Sequence, residues 1–435
     1  MKLDKTIIDR LDADDALWSD FNAICDCGGR LSGTESERLA LALIKARATN
    51  ATGVPPRSVP VPYGGWSAVK AELRLPDGSA APCHPLVRTV ATPAGGLSAE
   101  VIDLGRGTPG EFEAHAAEIR GRIVLVRHEL MFAAGTIHRR LKYEMAFKAG
   151  ALGFLIAGPV PGSLVSGSSG RDRTAGIPAA GISPDWAARL RRTAAGWPRA
   201  TLEIATNELP ALTETLLFDI PGQTDEWVVL SAHVDGHDLA ESAMDNATGL
   251  AAALSAVRAI RSDTAPHLRG LRLAFFSVEE WALTGSAQYV NSLSESERAK
   301  IVLNVNLDSV AGSPNLSALT SGFRELEPFL LRVAEANGFA LRTVRPLMTN
   351  SDHANFAKAG IPAFRLVAGF DEPDANLKFV LTAHDTREKV AKGDLKRATH
   401  LATAIVNAAC EASPVEAATW RDATLEPATY GKSTL

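Results

Sequence analysis

The sequence predicts an α/β fold in which a largely parallel sheet is crossed by helices. Three observations carry this, all from about residue 208 onward. Short apolar runs recur at 227–230, 271–276 and 301–307, the mark of strands buried on both faces. Segments of helical period lie between them, the clearest being 247–260, with Leu250, Leu254 and Val257 on one face. Each apolar run then passes into polar residues: the first into His233, the second into Glu279 and Glu280, the third into Asp308. Open α/β sheets place their ligands beyond the carboxyl ends of the strands, so the third observation predicts a site as well as a fold.

Taken in order, residues 1–65 open with a helical pattern. The stretch Arg30-Leu31-Ser32-Gly33-Thr34 precedes an Ala/Leu-rich run of helical spacing at 35–48, with Ser32 or Thr34 as its N-cap. The Pro-rich residues 54–63 read as a linker or a crossing into another unit. From 66 to 207 the pattern becomes short strands and turns: an apolar strand at 122–126, a helix at 138–148, a second apolar strand at 153–157, a Gly/Ser-rich loop ending at Gly170, and residues 177–183. Ionisable residues do not cluster there, so no catalytic group is expected from it. The expected division is 1–65, 66–207 and 208–435.

A chain of 435 residues with 46% hydrophobic and 22% charged residues suits a globular protein of two or three domains. Its formal net charge of -5 argues against nucleic acid or an anionic membrane as partner, since both demand concentrated Lys and Arg. A small or peptide-like substrate fits better. Residues 1–10 are charged throughout and lack the apolar run of a secretory signal, and no stretch approaches a membrane span. Cys25, Cys27, Cys83 and Cys410 make no disulfide framework and no paired thiolate site, so they read as reduced structural thiols of a cytoplasmic protein. Oligomeric state has no signature in the sequence.

The segment Ser231-Ala232-His233-Val234-Asp235, then Ala243-Met244-Asp245-Asn246, then Val278-Glu279-Glu280, reads as a metal site with its base attached. A divalent cation such as zinc takes a few His and carboxylate ligands, and hydrolysis needs a further carboxylate to move a proton. Asp235 is spaced to orient the His233 ring through a hydrogen bond. Asp245 precedes a helix and, by itself, could be a carboxylate favoured by the helix dipole. Glu279 and Glu280 could be a solvated strand end, or could divide the work of ligand and general base. Asp308 completes an acidic cluster that would repel itself without a cation.

These motifs, joined by Gly249, Gly285, Ser351-Asp352-His353 and Gly360-Ile361-Pro362, resemble the zinc-dependent exopeptidases of metallopeptidase family 28 across about 208–410. That group includes bacterial leucyl aminopeptidases, aminopeptidase Y and plasma glutamate carboxypeptidase. The run from His233 to Asp238 and on to Met244-Asp245 is similar to the glutamate carboxypeptidase branch. The resemblance implies a three-layer α/β sandwich around a mostly parallel mixed sheet. It also implies two zinc ions bridged by Asp245, with His233 and Asp308 on one, Glu280 on the other, and Glu279 as general base. Residues 66–207 resemble the protease-associated domain inserted in several members, a smaller β-rich unit that covers or shapes the cleft. The matching stretches there are 121–126, 149–153 and 177–182.

The sequence departs from the family pattern at one ligand. The final His stands four residues before the Asp of an Asp-Thr pair, and here that position is Leu381, ahead of Asp385-Thr386. His384 is the nearest substitute; His237 and His353 are others, and otherwise the second ion is weakly held. The activity expected is that of an exopeptidase, first an aminopeptidase, then a carboxypeptidase or dipeptidase. A single-zinc glutaminyl cyclase-like enzyme and a non-catalytic binding protein on the same fold are the remaining readings.

Overall fold

The computed structural model describes residues 1–75, 77–171, 175–261 and 266–423; the end of the expected 208–435 unit lies outside them. At its centre the strands Ile301–Leu307, Trp227–His233 and Gly270–Phe276 lie side by side and parallel, with Ala363–Ala368 parallel on the outer flank of the first. Leu316–Leu319 then joins antiparallel, followed by Leu341–Val344, and on the opposite flank Arg199–Ile220 pairs antiparallel with Gly270–Phe276. The sheet is therefore mixed with a parallel heart. Every residue of Ile301–Leu307 is buried, as an apolar run without alternation requires.

Chain order fixes the layers. From Trp227–His233 the chain crosses by helix Thr248–Ile260 to one neighbour, and from there by helix Thr284–Ser292 back past it to the other. Right-handed crossovers in opposite directions put their helices on opposite faces. Thr248–Ile260 packs with Ala16–Asp26, Glu35–Thr52 and Lys392–Glu411, while Thr284–Ser292 packs with His353–Lys358. Phe276, Tyr289 and Phe356 meet on that second face with ring centroids 5.7–6.0 Å apart. The result is an α/β sandwich of three layers.

The helix expected after residue 34 is Glu35–Thr52, and Thr34 caps it by accepting from the Glu37 N–H at 3.4 Å. Ser32 has another task, described below.

The Pro-rich stretch, read as a linker or a crossing into another unit, is no linker but part of a strand that leads into the insert, Arg57–Arg74, which pairs antiparallel with Arg199–Ile220 from Arg57–Leu217 to Arg74–Thr201. Pro60 and Pro62 are tolerated because, among the described residues, no strand pairs with the far side at these positions, so their missing N–H groups interrupt little. The boundaries expected at 65/66 and 207/208 thus fall inside two continuous strands.

The inserted unit carries its own sheet: Leu97–Asp103, Ile123–Arg127, Gly153–Ala157 and Ala179–Ile182 run parallel, and Cys83–Pro85 closes the edge antiparallel. Leu97–Asp103 also pairs with Arg199–Ile220, so the two sheets share one hydrogen-bonded strand. A small apolar cluster of Leu31, Val61, Trp66, Val87, Val278 and Trp281 ties the opening segment, the ribbon, the insert and the residues flanking Glu279-Glu280 together. All four cysteines are unpaired, and burial pushes the thiols of Cys25, Cys83 and Cys410 up to about 12. Among the described residues no helix is long and apolar enough to cross a membrane.

Candidate metal centre

His233 ends the middle strand of the parallel core, Asp308 follows the neighbour on one side, and Glu279 and Glu280 follow the neighbour on the other. Asp245 reaches the same rim from a tight turn, Ala243–Ala247, that feeds helix Thr248–Ile260. The peptide bond Asp245–Asn246 is cis. Asn246 anchors this turn, donating to the Leu307 carbonyl at 2.9 Å and accepting from the Gly249 N–H at 3.0 Å. Gly249 must lack a side chain, because a Cβ there would stand 2.3 Å from both Asn246 Oδ1 and the Leu307 carbonyl.

His233, Asp245 and Asp308 each offer one ligand atom, and these atoms all lie within 4.8 Å of one another. His233 Nε2 is 3.1 Å from Asp245 Oδ1 and 3.6 Å from Asp308 Oδ1, yet makes no well-formed hydrogen bond. Burial alone would lower the His233 imidazole, but the carboxylates of Glu279, Asp245 and Asp308 raise it well above the usual histidine value. A buried set of one imidazole and two carboxylates that draws in positive charge fits a divalent cation with three protein ligands and an open position. Burial would raise Asp308 too, but Arg365, His233 and Ser351 override it and hold its carboxyl below the ordinary range.

Asp235 does not orient His233 by its carboxylate, which stands 4.0 Å from Nδ1. Its backbone carbonyl does so instead, 3.0 Å from His233 Nδ1, leaving Nε2 for a metal. The carboxylate is free for other work because the strand has ended and turned. It accepts the backbone N–H groups of Glu279 at 3.0 Å and Glu280 at 3.2 Å, and the Ser32 hydroxyl at 3.0 Å. Asp235 therefore holds the acidic pair in place.

Glu279 is buried, and burial, then Glu280, Asp352 and Asp308, raise its carboxyl well above the usual value against the pull of His233. Glu280 is raised by burial and by Asp245, and its Oε1 is buried without a hydrogen-bond partner. His384 is not brought to this group. Its Nδ1 lies 3.0 Å from Ser163 Oγ and its ring stacks on Phe379, because the turn that puts Leu381 into the cavity points residue 384 the other way. His237 and His353 are buried outside the three-ligand group as well. Among the described residues there is thus one such group rather than the two-ion set that the resemblance implies.

Several contributors had not been expected. Asp385 accepts from the Met244 and Asp245 N–H groups and steadies the turn. Arg30, wholly buried, donates to the carbonyls of Gly28, Val234, Glu241 and Ser242 and fixes the approach to it. A cavity of about 50 Å³ beside the ligands is walled by Glu279, Glu280 and Leu381, and also by Phe132, Arg139 and Ser168 of the insert. The insert was expected to shape the cleft without ionisable groups; it brings an arginine into it. Arg139 and Arg140 begin a helix, where cations oppose the helix dipole. That local conflict is a signal the sequence did contain. Arg365, alone in the buried strand Ala363–Ala368, is another.

The fold and the site define a metal-binding α/β protein whose ligands lie at the carboxyl rim of a parallel core, roofed by a second unit. Comparison with known proteins places that class. The model of peptidase family M28 matches residues 215–407, and the PA domain model matches 84–190. The chain thus carries a region similar to peptidase family M28 and, ahead of it, a region similar to the PA domain. Leucine aminopeptidase 2 of Trichophyton rubrum is 24% identical over 322 residues, taking in 70% of this chain and 61% of that protein. Carboxypeptidase Q of Xenopus laevis is 27% identical over 274 residues, 60% of this chain and 58% of the other. The chain spans about three fifths of the length of these curated relatives. The crystal structure of a zinc aminopeptidase from Bacillus subtilis superposes with a TM-score of 0.71 at 23% identity, covering 90% of this chain and 93% of that one, which shows a shared fold.

Proposed function

We propose that this chain is a zinc-dependent exopeptidase that releases a terminal residue from a peptide or splits a dipeptide, acting first as an aminopeptidase. The observation that carries this reading is the meeting of His233, Asp245 and Asp308 within ligand distance beside the buried carboxyl of Glu279. Zinc is supported by a donor set of one imidazole and two carboxylates and by the zinc aminopeptidase of like fold. The names of the relatives, leucine aminopeptidase and carboxypeptidase Q, support an exopeptidase and leave the end of the peptide to be assayed.

His233, Asp245 and Asp308 would hold a divalent ion, which would supply Lewis acidity toward a peptide carbonyl and toward water. The chain's own residues do the rest. His233 presents Nε2 because Nδ1 is engaged by the Asp235 carbonyl. Glu279 lines the same cavity as Asp245 and Asp308, and its raised carboxyl suits it to accept a proton from water and return it to the leaving amine. Asp235 keeps Glu279 at that post through its backbone N–H. Arg365 offsets the charge of Asp308.

The test is hydrolysis of aminoacyl anilides, N-blocked dipeptides and free dipeptides, with and without chelator. Chelator-sensitive cleavage is expected, and the favoured substrate tells which terminus is read. Glu279→Gln should lower kcat by about 10²–10⁴ while leaving bound zinc unchanged. Turnover by this variant at the wild-type rate would remove Glu279 from the proton-transfer role.

A further inference from the structure

The second half of the site, around Glu280 and Leu381, lacks the ligands for an ion. Asp245 and Glu280 are the carboxylates available there, Leu381 offers no donor atom, and His384 is engaged by Ser163. A catalytic zinc site takes three protein ligands, so this position is one short.

What the cavity holds instead is a cation from the insert. Arg139 is 5% exposed and lines the same cavity as Glu280. Its Nε donates to the Ser168 carbonyl at 2.6 Å, while Nη1 is buried with no hydrogen-bond partner, as is Glu280 Oε1. Among the described residues the carboxylate whose charge acts on this guanidinium is that of Glu280. A buried guanidinium with an unpartnered nitrogen and a carboxylate with a buried, unpartnered oxygen, on one cavity, complement each other in charge.

The seat for this guanidinium is built. Gly167 has φ +102°, and a Cβ there would stand 2.4–2.7 Å from the Arg139 guanidinium atoms, so the missing side chain makes its cradle. The same loop grips the segment in which the ligand is missing. The Ser166 N–H donates to the Leu381 carbonyl at 2.8 Å, Val165 bridges Thr382, and Ser163 engages His384. One Gly/Ser loop of the insert therefore places the arginine and fixes Leu381 in its place.

We propose that the Arg139 guanidinium, seated by the 163–170 loop, stands in for a second metal ion, so that this chain holds a single divalent cation at His233, Asp245 and Asp308. The inference rests on the reading of that group as a metal site. An ion beside Glu280 would face Arg139 as a like charge and would find two protein ligands where three are needed.

The experiment is zinc titration of the metal-stripped full chain by calorimetry, with elemental analysis after desalting and a thermal melt of each protein. Wild type and Leu381→His should each take one equivalent, since restoring the imidazole leaves the guanidinium in place. Leu381→His with Arg139→Gln should take two, and Leu381→His with Arg139→Lys, which keeps the positive charge, should remain at one. Two ions in the wild type or in Leu381→His alone would overturn the inference, and neither measurement depends on altering Arg139. A single ion in a cooperatively melting Leu381→His, Arg139→Gln protein would overturn it too. Absence of zinc binding by the wild type would instead remove the metal-site reading on which it stands.

Discussion

At the scale of single residues the site is an exercise in confining charge. Asp235, Asp245, Asp308, Glu279 and Glu280 gather at one rim, and two of them are held by the chain itself: Asp235 by backbone N–H groups, Asp308 by Arg365 and Ser351. The same economy extends outward to Glu37, 4% exposed, which accepts from the Gly33 N–H at 2.6 Å and the Thr213 hydroxyl at 3.0 Å. Burial, with help from Asp235, nonetheless pushes its carboxyl up to about 7. The sign of the consequence follows from proton counts. Between the unfolded value near 4.5 and about 7 the folded chain keeps a proton that the unfolded chain has lost, so stability falls as pH rises through that window and levels off above it. The cost to the folded state at pH 8 is roughly 3 kcal/mol for this group. Glu37→Gln keeps the shape and removes the titration. Its denaturant midpoint should match wild type near pH 5 and exceed it at pH 8; a constant offset between the two proteins across this range would refute the assignment.

At the scale of elements, much was legible in the sequence, and what was not has a physical reason. The strands ending in His233 and Asp308, and the one leading to Glu279, announce themselves as apolar runs because both faces of a parallel sheet are covered. The helix behind Asp245 shows in its period for the same reason. The ribbon of Arg57–Arg74 and Arg199–Ile220 does not, because its partners are far apart in sequence and Pro60 and Pro62 read locally as a break. His384 was a reasonable candidate by spacing, but spacing cannot say which side of a tight turn faces the metal. The Gly/Ser loop looked like a plain connection, since the meaning of Gly167 lies in a guanidinium held by another element. That meaning is testable. Gly167→Ala places a Cβ against Arg139 at a φ of +102°, whereas Gly162→Ala, at +72° in the same loop region, meets nothing within 4 Å. The first should lose about 1–3 kcal/mol more than the second in chemical denaturation. Equal losses would mean that Arg139 moves aside freely and that the cradle is not specific.

At the scale of the whole molecule, the metal group joins parts of the chain that are otherwise held by separate contacts. Asp245 sits just ahead of helix Thr248–Ile260, which packs against four other helices, while His233 ends one strand of the sheet and Asp308 follows its neighbour. Without a cation the carboxylates of this rim repel one another and raise the proton affinity of His233, so folding itself works against the cluster. An ion that binds the folded chain and not the unfolded one reverses that penalty by mass action, adding about 2.7 kcal/mol at a free concentration one hundred times its dissociation constant. Thermal melting should therefore rise by several degrees on adding zinc to metal-stripped protein and fall again with chelator. Asp245→Ala should abolish the response, because it removes a ligand and with it the link between helix layer and sheet. Glu279→Gln, which leaves all three ligands intact, should keep the response in full. If Asp245→Ala melts with an undiminished zinc shift, the ion binds elsewhere on the chain, and the rim of the parallel core is not its site.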